Sequence, residues 1–501
     1  MVRRCEGCRR NPKSAVPRIR SLVSIVPHGA RATPRSLCWS RAYLCLLAWE
    51  CPTRMHTAFT PPDIDLLVLR RAIPNEAFRR STSRALVGIA PVFLASGLFI
   101  LLGWNIDTQV SRLALPGIWR DLLKWSLWLV YWNGQGIAWA GLWSVGHEAD
   151  HDNISPLKWV NHGIGLVCHS LIFTPYFSWR LTHIRHHKTS GNIDTEEVYV
   201  PHLRSAYRLP PPGKATKRDY CSYMTIPLQY QEAFEESPVF QLCRLCGMQL
   251  LGLHTYLTWN TMGSKRYPKG ASHWNPYSGL FTQDEYAAVH VSNVAIAAMF
   301  TSLYVLARCT SWTFVVKIYL IPFLLTNHWV MAMTFLQHSC PTVPFYRSHA
   351  WSRTRGALST IDRPFLGWVG KYIFLGVNHH HTTHHLFAMI PFYNLPMAHN
   401  AIRPLLGDAY NYDSTPVLRA LWRSFVHCLF VEDEGDVVFY KDATGSARRA
   451  VMAVTPPSGK EHDELVDEVL IEADVELLAN RQQAERPLGH RGGVRLATGN
   501  G

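Results

Sequence analysis

Eight histidines in three clusters carry the chemistry that this chain can do. GHEADH places His147 and His151 four apart, THIRHH holds His183, His186 and His187 in an HxxHH pattern, and HTTHHLF repeats that spacing with His381, His384 and His385. Residues three and four apart share a helix face, so each cluster can aim its imidazoles at one point. A zinc ion takes about four ligands and rarely so many from histidine alone, so eight imidazoles fit two metal ions better. A lone His in an apolar stretch is more often a satisfied interior residue, and His162, His169 and His254 are read that way.

The elements that must position these clusters are apolar helices. Residues 85–103, 122–145, 287–307 and 314–336 are long and apolar enough to cross a membrane, although a mean hydropathy of −0.04 says nothing of this by itself. Arg79, Arg80 and Arg84 precede the first span and set the N-terminus in the cytosol. The second span delivers His147 just beyond its end. The last two spans form a hairpin through the turn at 308–312. Clusters one and two precede that hairpin and cluster three follows it, so an even number of crossings keeps all the histidines on one side. The apolar run 164–177 covers only about 21 Å, short of a roughly 30 Å hydrocarbon core, and is expected to lie in the interface or re-enter. Segment 242–259 holds Arg244 and His254 and reads as an interfacial or partly buried helix. Residues 210–217, rich in Pro and Lys, read as loop.

The net charge of +14 is uneven. Residues 1–54 contain ten Arg and one Lys against Glu6 and Glu50, about +9 of the total. The remainder is only mildly basic and gives no nucleic-acid footprint. The basic extension reads either as a transit peptide or as sequence that is not translated, with Met55 as the start, and the second reading is preferred. The 12 Cys lack the spacing of a secreted disulfide scaffold. The CxxC of Cys5 and Cys8 has no zinc-finger partner, and that of Cys243 and Cys246 reads as a buried thiol pair. Residues 442–501 read as a polar tail with one amphipathic helix at about 463–481, dispensable for activity.

Taken together, HEADH, FTPYFSWRLTHIRHH, DTEEVYVP, FLQHSCPTVPFY, RGALSTIDR, HTTHHLF and IPFYN resemble the membrane fatty-acid desaturases of the delta-12 and omega-3 group, notably the fungal ones. The resemblance covers about residues 59–441. It implies an all-α integral membrane protein of about four transmembrane helices in two hairpins, with a cytosolic helical cap holding a histidine-rich di-iron site in the endoplasmic reticulum. It implies as ligands His147, His151, His183, His186, His187, His381, His384 and His385, and a ninth, His338, from the LQH motif. The implied substrates are O2 and acyl chains of membrane phospholipid. No GxGxxG follows a strand and no HPGG haem motif is present, so a separate b-type cytochrome and its reductase are the implied electron donors.

The first box departs from that group at Ala149 and Asp150 and continues as Asp152, Asn153 and Ile154. Asp150 lies three residues after His147 and can hydrogen-bond an imidazole N–H, against the alternative of a solvated surface Asp. His379 and His380 stand where Asp-Thr is usual and read as extra surface histidines. Removing hydrogen from unactivated methylenes needs cofactor chemistry, and neutral imidazoles hold iron while leaving room for oxygen. The acyl chain needs a narrow apolar tunnel, expected from the spans and from residues 173–179. The resulting expectation is delta-12 desaturation of oleoyl to linoleoyl chains. The alternatives are omega-3 desaturation, a hydroxylase, epoxygenase or acetylene-forming relative, and a catalytically silent metal-binding membrane protein.

Overall fold

Ser81 begins the most apolar of the candidate membrane helices by capping it: its Oγ accepts from the Arg84 N–H, and the helix continues to Ser111. The computed structural model describes residues 54–207, 209, 238–452 and 454–457. The Cys5/Cys8 motif, the loop at 210–217 and the tail helix at 463–481 lie outside the described residues, as do residues 1–53.

The protein is mostly helical. The helices that matter for the site are α1 (Leu66–Ala72), α2 (Thr82–Ser111), α3 (Gly117–Asp150), α4 (Lys158–Ser170), α5 (Tyr176–Thr189), α6 (Pro238–Trp259), α7 (Tyr286–Cys309), α8 (Trp312–His338), α9 (His381–Leu386), α10 (Leu395–Leu406) and α11 (Val417–His427). Among the described residues, three helices are long and apolar enough to cross a membrane: α2, α7 with its leading turn from Gln283, and α8. Their outer faces expose Leu94, Leu98, Leu101, Val294 and Phe300, side chains that fit lipid better than water.

Helix α3 contains the second expected span but is not among the three. At 34 residues it is the longest helix among the described residues, about 51 Å at 1.5 Å per residue. Its composition is less apolar because Asn133, Gly134, Gln135 and Gly136 interrupt it, and those residues let it sit in the middle of the bundle. A Cβ on Gly134 would lie 2.1 Å from Phe99 of α2, and one on Gly136 would lie 2.7 Å from Leu325 of α8. Gln135 Nε2 and Trp139 Nε1 both donate to Ser96 Oγ of α2, at 3.0 and 3.1 Å, so these buried donors are partnered.

Helix α8 carries a π-helical turn at Val316–Leu320. Its widened backbone presents the carbonyls of Lys317 and Ile318 to α3, where Trp132 Nε1 (2.9 Å) and Tyr131 OH (2.6 Å) donate to them. At the same end the Lys317 ammonium pairs with Asp107 of α2, whose other carboxylate oxygen accepts from Trp128 Nε1 at 2.9 Å. One charged clasp thus joins α2, α3 and α8 at the end remote from the histidines.

The run 164–177 is not one element. It comprises the last part of α4, a turn in which Phe173 takes φ of 52°, and the start of α5. Segment 242–259 forms most of α6, which packs along α8. Cys243 and Cys246 are both exposed on it, which corrects their reading as a buried pair: two positions three apart on one helix face outward together.

Above the helices, α1, α9 and α10 share a second core built on Leu66, Leu69, Phe387 and Leu395. Two short sheets finish the fold. In one, β2 (Pro344–Tyr346) lies antiparallel to β3 (Val437–Phe439); in the other, β1 (Ala58–Phe59) lies parallel to β4 (Ala450–Val451). The described chain beyond Lys441 therefore runs back onto the body, and the Arg355 guanidinium donates to the Thr455 carbonyl at 2.9 Å.

Candidate metal centre

Helix ends converge on one place. His147 lies in the last turn of α3 and His151 caps it; His183, His186 and His187 lie along α5; His338 ends α8; and α9 consists almost entirely of its HxxHH motif. The structure brings all nine predicted histidines together. Eight are buried, and His151 is partly buried as a residue with its side chain only 6% exposed.

They sort into two groups. His147, His151, His183 and His187 each offer a donor atom within 4.8 Å of the others, and so do His186, His338 and His385. His384 joins the first group, its Nε2 lying 3.1 Å from that of His147, and His381 joins the second, its Nε2 lying 3.0 Å from that of His338. The rings of His187 and His385 stack at 4.2 Å and link the groups.

Carboxylates hold the outer edges of these rings. Asp150, fully buried, accepts from His183 Nδ1 at 2.6 Å, so the solvated alternative for Asp150 is excluded. Glu196 does the same for His186 Nδ1 at 2.7 Å and is itself fixed by the backbone N–H groups of Gly191 and Glu197. An Nδ1–H given to a carboxylate leaves the Nε2 lone pair facing the centre, the arrangement that orients histidine toward a metal. Burial and neighbouring imidazoles hold His183, His187, His381 and His385 well below the ordinary His range, and His384 falls to about 3. These rings are neutral at pH 7 and their lone pairs are free to coordinate. Several ring nitrogens, including His187 Nδ1 and both of His385, are buried with no hydrogen-bond partner in the protein. A cluster of neutral, inward-aimed imidazoles with orphaned nitrogens fits metal ions and little else.

Aromatic rings seat the cluster. Trp179 stacks on His183 at 4.2 Å and Trp143 on His147 at 5.6 Å. A cavity of about 450 Å³ opens from His147, His183, His186, His338 and His381 and runs between α6 and α8, lined by Trp179, Tyr199, Met248, Gly252, Tyr256 and Met331. Its size and apolar walls suit a small ligand or an aliphatic chain. Of residues 173–179 only Trp179 lines it, which corrects the expected tunnel wall. Phe173 packs instead against Phe300 of α7, with centroids 4.3 Å apart. The wall that sequence reasoning missed is α6, whose inward face shows no motif.

Of the isolated histidines His169 is buried, as expected, and His162 and His254 are partly buried. His162 Nδ1 meets Tyr176 OH at 3.3 Å, His169 Nε2 meets the Trp143 carbonyl at 3.2 Å, and the His254 ring lies 5.1 Å from that of Phe323. His380 corrects the surface reading: it is partly buried and grouped with Asp362 and His399. Glu196, also missed, lies in the quoted DTEEVYVP run, but no spacing ties it to His186.

Comparison with known proteins follows this geometry. The sequence profile of the fatty acid desaturase family matches residues 123–416, more than half of the chain. Two relatives named Delta(12) fatty acid desaturase, from Mortierella isabellina and Mortierella alpina, are each 36% identical over 380 residues, covering 76% of this chain and 91% of theirs. A protein of Ricinus communis named oleoyl-12-hydroxylase is 34% identical over 377 residues, covering 75% of this chain and 89% of its own.

Proposed function

This chain belongs to the fatty acid desaturase family of oxygen-dependent oxidoreductases, and from that membership we propose that it inserts a cis double bond at the delta-12 position of oleoyl chains in membrane phospholipid, giving linoleoyl chains. The observation that carries this reading is the apolar cavity that ends on the histidine groups. The similarity to the two Mortierella desaturases favours delta-12.

The ligands in this reading are His147, His151, His183, His186, His187, His338, His381, His384 and His385, and the metals are two iron ions. Iron held there supplies the activation of O2 and the abstraction of hydrogen from unactivated methylenes. The chain's own residues do the rest. Asp150 and Glu196 keep the Nδ1 protons on His183 and His186. Trp143 and Trp179 exclude water from the cluster. The cavity between α6 and α8 holds one CH2–CH2 pair beside it, so placement along the cavity selects the bond.

In the same reading α3 crosses the bilayer with α2, α7 and α8, which makes two hairpins with the histidines in a cytosolic cap at the endoplasmic reticulum. A b-type cytochrome and its reductase supply electrons. The body begins near Met55, and the chain beyond the β4 contact is a polar tail.

Expression of residues 55–501 in a yeast that makes only monounsaturated fatty acids tests the reaction. A diene without feeding supports delta-12; a triene only after supplied linoleate would select omega-3 instead. The Ricinus relative's name supports a second reading, in which the product is a hydroxylated acyl chain. An unchanged lipid profile with protein and iron present overturns both. His186→Ala is expected to abolish product while the protein still inserts into membranes.

A further inference from the structure

A third donor group lies beside the last histidine cluster. Asp362, His380 and His399 each bring one donor atom within 4.8 Å of the other two. They come from three separate elements. Asp362 is held between strand-like segments, its N–H donating to the Asn411 carbonyl and its carbonyl accepting from the Asp413 N–H, each at 3.1 Å. His380 is the residue that caps α9, and His399 projects from α10.

The group is built rather than incidental. The Asp362 carboxylate is fully buried; one oxygen accepts from the Thr382 N–H at 2.7 Å and the other from Tyr410 OH at 2.8 Å, and the latter oxygen stands 3.6 Å from His399 Nδ1. Thr383 Oγ1 lies 3.1 Å from the same His399 nitrogen, and the rings of His380 and His399 face each other with centroids 4.9 Å apart. His380 Nδ1 is buried with no hydrogen-bond partner, which costs free energy in a polar pocket unless something accepts its lone pair or its proton. Arg403 lies over the Tyr410 ring, its guanidinium carbon 4.1 Å from the centroid.

We propose that Asp362, His380 and His399 form a separate mononuclear site for a zinc-type divalent cation, with water in the fourth position. Two imidazoles and one carboxylate are borderline donors suited to such an ion; Ca²⁺ and Mg²⁺ want six or more oxygens, and soft Cu(I) wants sulfur. The cation ties α10 to the N-cap residue of α9 and so fixes where the helix carrying His381, His384 and His385 begins. Its role is structural and no electron passes through it.

The test is metal counting on the full chain in detergent, loaded with Fe(II) and then titrated with Zn(II), iron and zinc being measured separately. One zinc equivalent beyond the iron is expected. His380→Ala combined with His399→Ala should lose that equivalent with iron content unchanged, and His379→Ala should keep it. Equal zinc in the wild type and the double variant, or no zinc equivalent in the wild type, overturns the proposal. Should the double variant not insert, His399→Asn preserves a polar partner for Thr383 and is expected to weaken zinc binding at least tenfold, by loss of one ligand. Unchanged zinc affinity in that variant overturns the proposal equally.

Discussion

A carboxylate buried without charge compensation is costly, and Asp150 offsets part of that cost through the Arg180 guanidinium and the hydrogen bond from His183. Its Oδ2 holds His183, while Arg180 lies 3.3 Å from its Oδ1. Asp150→Asn keeps the shape but loses the anionic acceptor, so iron affinity and product are both expected to fall about 10- to 100-fold, read by metal content and lipid analysis. Glu196→Gln should act alike through His186. A rate loss with iron fully retained in both variants would show that neither carboxylate orients a ligand. Asp150 was legible because it stands one helical turn from His147, although its partner proved to be His183, on another helix. Glu196 was not legible, since it reaches His186 through a loop whose path no periodicity encodes. His338 was legible only through the LQH resemblance, because one histidine at the end of an apolar helix has no spacing to mark it.

Helix α3 supplies the first cluster, and its packing leaves no slack beside it. A Cβ on Gly146 would lie 2.1 Å from the His169 ring, so Gly146→Ala forces apart the turn that carries His147. Overpacking of this kind costs about 1–3 kcal/mol, and a lower melting temperature together with lower iron content is expected. The central place of α3 was obscured in the sequence by the small and amide residues that allow it, because they dilute its apolar character. Helix α11 is anchored differently. Burial alone would raise the Asp413 carboxyl, but Arg363 and Arg423 hold it down, at about 2. The folded value lies below the unfolded value of about 3.9, so the stabilisation is fully present above that pH and is lost as pH falls through about 2, amounting to about 2–3 kcal/mol. Asp413→Asn removes it at every pH and leaves Arg363 buried without its anion, for a loss of about 3–5 kcal/mol in thermal unfolding at pH 7.

For the molecule as a whole, the cavity and the C-terminal segment can be tested together with its lipids. A side chain at Gly252 would enter the cavity beside Met331, whose Cε lies 2.9 Å from the added Cβ position. Gly252→Leu is therefore expected to cut product from 18-carbon chains by about 10- to 200-fold at unchanged iron content, the range that a few misplaced methylenes produce in an apolar pocket. Truncation after residue 457 should preserve activity. Truncation after Lys441 removes β4 and the acceptor of Arg355, and should lower the yield of folded protein.

The clasp of Asp107, Lys317 and Trp128 also works as a depth gauge. From Lys317 to His338 the helix rises roughly 31 Å, close to the thickness of the hydrocarbon layer. One end of α8 thus carries a charge that resists entering oil, and the other carries a histidine at the metal centre. A bilayer much thicker or thinner than this has to deform around the protein or tilt it, at a cost of fractions of a kcal/mol per Å. The height of the cavity mouth relative to such a layer is then set by the protein, and in the proposed reading the carbon presented to the histidine groups depends on the membrane around the protein as well as on the walls of the cavity.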